Sequence, residues 1–107
     1  MIMARQMVWS RETFGPHPRT KGTLDHIRKE LKEIEADPTD LVEWIDLMIL
    51  AMEGFHRHGG QPQDLPRMLR EKQIKNTRRR WPDWRKVAED VAIEHTRDGD
   101  DDARAAA

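Results

Sequence analysis

Cysteine is absent from the 107-residue chain. That excludes disulfides, thiolate nucleophiles and cysteine-ligated zinc. No apolar run is long enough to span a bilayer, and the longest one is interrupted by two acids. The opening MIMARQMVWS lacks the apolar stretch of a signal peptide. Together these predict a soluble, cytoplasmic protein with no membrane partner. Net charge is nearly absent too, at −1, so the overall balance does not favour nucleic acid as a partner. There is no glycine-rich phosphate loop and no Ser–His–Asp set to supply an alternative catalyst. Neither a period-two strand pattern nor an internal repeat is visible, and the expected class is all-α.

Hydrophobic and charged residues each make up 36% of the chain. That is polar for a globular protein, but four Trp and a supply of Leu, Ile and Met argue for a folded core. The length suggests one domain with a modest core. We expect an irregular N-terminal segment over 1–22, one helical domain over 23–96, and a disordered acidic and alanine-rich tail over 97–107. FGPHPRTKG places two Pro and two Gly in nine residues, which forbids a regular element there. A first helix pattern starts near Thr23, a plausible N-cap, with Leu24, Ile27, Leu31 and Ile34 at helical spacing. ADPTD ends it and starts a second, with Asp37 able to cap, Pro38 at the first helical position and Asp40 in the first turn. This second helix runs to about Phe55 and is apolar almost all round, the mark of a central, buried helix. A third follows from about Gln63 to Arg80. A short fourth, capped by Asp83, carries Trp84, Val87, Ala88, Val91 and Ala92.

The segment LVEWIDLMILAM has ten apolar residues of twelve, and the other two are Glu43 and Asp46. They sit three apart on one helix face, as Glu30 and Glu33 do on the preceding helix. A short turn around Pro38 makes the two helices an antiparallel hairpin. Glu33 then faces Glu43 and Glu30 faces Asp46, the two levels separated by roughly 4.5 Å at the helical rise. Uncompensated, four carboxylates so placed repel one another, and divalent cations relieve this naturally. All-oxygen ligation suits Mg2+ or Mn2+, and such a set can hold two or more ions. Blander readings exist: a solvated face for Glu30 and Glu33, a capping-box role for Glu43 behind Asp40. Asp46 has no comparable excuse. His26 reads as a helix-surface residue, and His56 and His58 as helix-end residues.

From Arg67 to Arg80 there are seven basic residues against one acid, Glu71. Lys72, Asn76 and Arg79 share a face, with Arg80 beside them. Lys and Arg bind phosphate, and Asn can hydrogen-bond phosphate or sugar. A metal cluster with a cationic stripe describes a polyphosphate site. For Arg67, Arg70, Lys75 and Arg78 a solvated face is the simpler reading. RRRWPDWR also offers arginines and tryptophans for nucleic acid, which keeps a small nucleic-acid-binding protein open as a rival.

KELKEIEADPTDLVEWIDLMIL and EKQIKNTRRRWPDW together resemble the MazG-like all-α nucleoside triphosphate pyrophosphohydrolases, whose signature is E-x-x-E, a spacer, then E-x-x-D. Here the spacer is unusually short. FGPHPRTKGTLDHIRKELKEIEADPTDLVEWIDL looks more specifically like the phage dATP/dGTP pyrophosphohydrolases of the MazZ type. The resemblance spans about residues 9–84. It implies a helical dimer or tetramer, dependent on Mg2+ or Mn2+, that cleaves the α–β phosphoanhydride to a nucleoside monophosphate and pyrophosphate. Carried over, Glu30, Glu33, Glu43 and Asp46 are catalytic and metal-binding, and Lys72, Asn76, Arg79 and Arg80 bind phosphate. Trp9, Phe14 and Trp81 are candidates for stacking on the base. A MazZ-type enzyme in a phage-infected cell would supply dGMP for diaminopurine nucleotide synthesis. A house-cleaning pyrophosphatase for another nucleotide is the alternative within the same chemistry.

Overall fold

The computed structural model describes residues 2–96. They form α1 (Ile2–Phe14), α2 (Thr20–Ala36), α3 (Leu41–Arg57), α4 (Asp64–Arg78) and a single 3-10 turn at Trp84–Lys86. No strand occurs among the described residues, as the sequence pattern predicts. None of their helices is long and apolar enough to cross a membrane. The expected tail over 97–107 lies outside the described residues. The chain divides into two compact units, Met1–Leu65 and Pro66–Ala107.

In the first unit α1 and α2 both pack on α3. The α2–α3 hairpin forms around Pro38, but its cap differs from the one expected. Asp40, not Asp37, is the N-cap of α3, its carboxylate accepting from the Val42 backbone N–H at 3.2 Å. Asp37 closes α2 instead, and its side chain accepts from the Thr39 hydroxyl at 2.8 Å. Pro38 therefore stays in the turn, where its carbonyl accepts from the Trp44 indole N–H at 2.9 Å. Two acids each closing one helix end give a tighter connection than a single cap shared across ADPTD.

The N-terminal segment corrects the sequence expectation. Residues 2–14 are helical, and the irregular stretch shrinks to 15–19. No Gly or Pro interrupts 2–14, and Met3 and Ser10, two turns apart on one face, are both buried. Gly15, at φ +88°, takes the left-handed conformation that ends α1. α2 begins at Thr20, earlier than Thr23, with Arg19 as a left-handed N-cap at φ 50°. The expected fourth helix is also corrected. Asp83 does cap, accepting from the Arg85 backbone N–H at 3.0 Å, but only the 3-10 turn follows. Val87 is already extended, and no residue of the turn is buried. A segment that short needs docking of an apolar face to stay helical.

Nor is α3 buried all round. Its face toward α1 and α2 holds Leu50, Glu53 and His56. Leu41, Ile45 and Met48, one stripe at helical spacing, remain 74%, 51% and 60% exposed. Buried apolar residues are few among those described: Met3, Ile34 and Leu50. Buried Ser10, Glu30, Glu53 and His56 accompany them, so the interior of the first unit is unusually polar.

In the second unit, α4 matches the expected basic helix to within two residues at each end. Arg67 pairs with Glu71 one turn on, at 3.3 Å.

Candidate active site

The hairpin register brings carboxylates together. Oxygens of Glu30, Glu33 and Glu43 lie within 4.8 Å of one another, with Glu30 buried, Glu43 half-buried and Glu33 exposed. In this cluster Glu30 Oε1 and Glu43 Oε2 are shielded from solvent and have no hydrogen-bond partner among the described residues. Buried carboxylate oxygens rarely stay unpaired without an ion or a ligand to receive. Hydrogen bonds to Glu30 and then Glu33, partial desolvation and both neighbouring charges push the Glu43 carboxyl up from 4.5 to about 8. Three clustered carboxylates thus hold a proton well above the usual carboxylate range when no cation is near. Glu43 does not close a capping box, because the Asp40 backbone N–H donates to the Asp37 carbonyl at 3.2 Å instead. Asp46, the fourth acid, is not within this group of three. It lines the same cavity as Glu30.

That cavity has a volume of about 400 Å3 and belongs wholly to the first unit. Glu30 and Asp46 mark its acidic part, and Trp9 and Phe14 supply aromatic wall. The two rings meet edge to face, centroids 5.4 Å apart. His26 also lines it, so its helix-surface position opens onto the cavity.

Sequence reasoning missed a second cluster along the cavity, centred on Glu53. Its Oε1 accepts from Gln6 Nε2 at 2.7 Å. Its Oε2 accepts from Ser10 Oγ at 2.5 Å and Arg57 Nε at 3.1 Å. His56 Nε2 stands 3.5 Å from Oε1. Burial pulls the Glu53 carboxyl upward, but the hydrogen bonds from Gln6, Ser10 and Arg57, with the His56 ring close by, outweigh it and hold the group below its usual range. Arg57 ties the chain together beyond this. Its Nη1 donates to the Gly15 carbonyl at 3.0 Å and the His17 carbonyl at 2.5 Å, and its Nη2 to Ser10 Oγ at 2.7 Å. Glu53, His56 and Arg57 sit at i, i+3 and i+4 on α3, a spacing readable from sequence. Their partners Gln6 and Ser10 become readable only once α1 is recognised as a helix. His58 does cap the end of α3: its Nδ1 must donate to the Gly54 carbonyl, at 2.7 Å, which leaves Nε2 to face the Thr20 hydroxyl.

Residues Lys72, Asn76, Arg79, Arg80 and Trp81 lie in the second unit. Lys72 is exposed. Asn76 Oδ1 accepts from Arg79 Nη1 at 3.4 Å, and Arg79 Nε is buried without a partner among the described residues. The Trp81 indole donates to the Asn76 carbonyl at 2.7 Å, and its ring meets His95 edge to face.

The sequence profile of the dATP/dGTP pyrophosphohydrolases matches residues 2–100. The chain belongs to the dATP/dGTP pyrophosphohydrolase family. The match covers nearly its whole length, including the acidic hairpin, the Glu53 cluster and the basic helix. No curated protein and no solved structure matches it.

Proposed function

We propose that the protein hydrolyses purine deoxynucleoside triphosphates, dGTP and dATP, to the monophosphate and pyrophosphate, with Mg2+ or Mn2+ held by Glu30, Glu33, Glu43 and Asp46. The observation that carries this reading is the trio of clustered carboxylates with two unpaired, shielded oxygens beside a ligand-sized cavity. Such a donor set, all oxygen and strongly anionic, fits hard divalent cations. When bound, those cations neutralise polyphosphate oxygens and acidify water.

The chain's own residues do the rest. One carboxylate of the cluster orients the attacking water toward the α-phosphorus and accepts its proton, and pyrophosphate leaves as the α–β bond breaks. Trp9 and Phe14 offer faces and edges against which a purine can stack. Lys72, Asn76, Arg79 and Arg80 are assigned to the distal phosphates, with Trp81 a further stacking candidate. The exposed apolar stripe of Leu41, Ile45 and Met48 supports a homo-oligomer, since a monomer gains nothing from presenting it to water. In a phage-infected cell the dGMP so formed would feed diaminopurine nucleotide synthesis.

Titration calorimetry with Mn2+ alone tests the metal assignment apart from turnover. The wild type should bind, and folded Glu43→Gln should bind at least tenfold more weakly. Equal binding by the two would remove Glu43 from the site.

A further inference from the structure

The Glu53 cluster fixes an amide whose second end is unused. Gln6 lines the cavity, and its Nε2 donates to Glu53 Oε1 at 2.7 Å. Glu53 is an acceptor for Ser10 and Arg57 as well, and an ionised carboxylate has no proton to give. The amide therefore cannot flip, because a flip would press Gln6 Oε1 against a carboxylate oxygen. Its nitrogen is committed to Glu53, and its oxygen takes no hydrogen bond from any described residue. The fixed element is then a hydrogen-bond acceptor on the same cavity as Trp9, the aromatic candidate for stacking on the base.

Accepting the reading above, we infer that Gln6 Oε1 is a specificity determinant that receives an N–H donor from the edge of the bound purine. Adenine offers its 6-amino group and guanine its N1–H and 2-amino group, so one acceptor serves both bases without choosing between them. Glu53 is the positioning residue, since it acts through the orientation of Gln6. A purine edge with no N–H would leave the amide oxygen desolvated and unpaired. Sites built to hydrogen-bond a substrate group reject analogues lacking it for this reason.

The test compares dATP with the 2′-deoxynucleoside triphosphate of unsubstituted purine, which differs only in lacking the 6-amino group. Wild-type enzyme with Mn2+ should favour dATP by on the order of tenfold in kcat/KM, the effect of one hydrogen bond. Gln6→Met, similar in shape but without the amide, should bring the ratio near one by slowing dATP and sparing the analogue. A merely structural Gln6 would slow both substrates equally, and that result overturns the inference. So does a wild type that treats the two alike, an outcome that needs no variant to fold. A wild type that hydrolyses neither dATP nor dGTP overturns the proposed function itself. One that hydrolyses dATP but ignores the missing amino group overturns only the role of Gln6.

Discussion

Replacing Arg57 with Met should destabilise the protein far more than an ordinary arginine substitution. The side chain makes five hydrogen bonds: to Glu53 Oε2, to Ser10 through its hydroxyl and its carbonyl, and to the carbonyls of Gly15 and His17. It thereby joins α3 to the end of α1 and to the connection into α2. Its side chain is 3% exposed and that of Glu53 10%, so solvent replaces these bonds poorly. Met keeps most of the aliphatic stem and removes only the charge and the donors. Breaking a buried pair by removing one partner costs about 3–5 kcal/mol. We expect about 3 kcal/mol, because Gln6 and Ser10 still donate to Glu53. A chain of this length has a total stability of about 5–15 kcal/mol, so the loss is a large fraction of it. Urea unfolding followed by tryptophan fluorescence, at fixed protein concentration, measures the change. Arg28→Met, on an exposed position of α2, is the control and should stay within about 0.5 kcal/mol. Should Arg57→Met lose less than about 1 kcal/mol, the cluster does not hold α1 in place and the reasoning fails.

Without divalent metal, stability should fall as pH rises from about 4.5 toward 8, because Glu43 keeps its proton in the folded state and loses it in the unfolded one. Saturating Mn2+ should abolish that fall, and melting curves across the range decide it. Glu53 acts in the opposite sense below this window: its depressed pKa stabilises the fold above the unfolded value, and that share is lost as pH drops through the folded value. Lys72→Ala should raise KM for dGTP more than it lowers kcat, whereas Arg70→Ala should change neither beyond about twofold. Equal effects would remove the division of the basic helix into a phosphate face and a solvent face. Ile45→Glu, on the exposed stripe of α3, should shift the species seen by sedimentation toward monomer, and a wild type that is already a stable, active monomer would contradict the oligomer.

Much of the hairpin was legible because its signals are local. The apolar spacing from Leu24 to Ile34, the ADPTD turn and the two acidic pairs set helix type, direction and register without reference to the rest of the chain. Equidistance from Pro38 placed Glu33 beside Glu43, as observed, but it set Glu30 against Asp46, whereas Glu30 groups with Glu33 and Glu43. It overstated the symmetry of the set, because α3 begins at Leu41 and Pro38 belongs to the turn. The polar cluster was not legible. Ser10 and Gln6 are ordinary residues in a segment whose apolar content is low, and only packing against α3 reveals that they face Glu53. The fourth helix failed for the converse reason: its spacing suits a helix, but Trp84, Ala88, Val91 and Ala92 stay exposed among the described residues. α3 read as buried because its apolar residues encircle it, and sequence does not distinguish a face covered within the chain from one left for another molecule.

The proposed reaction cleaves a purine deoxynucleoside triphosphate between its α- and β-phosphates. Phosphorus NMR of the products from dGTP and dATP, with Mg2+ or Mn2+ and then with chelator, addresses it most directly. The expected products are nucleoside monophosphate and pyrophosphate in equal amounts, formed only when the cation is present. Orthophosphate with nucleoside diphosphate, or turnover that survives chelation, would contradict it.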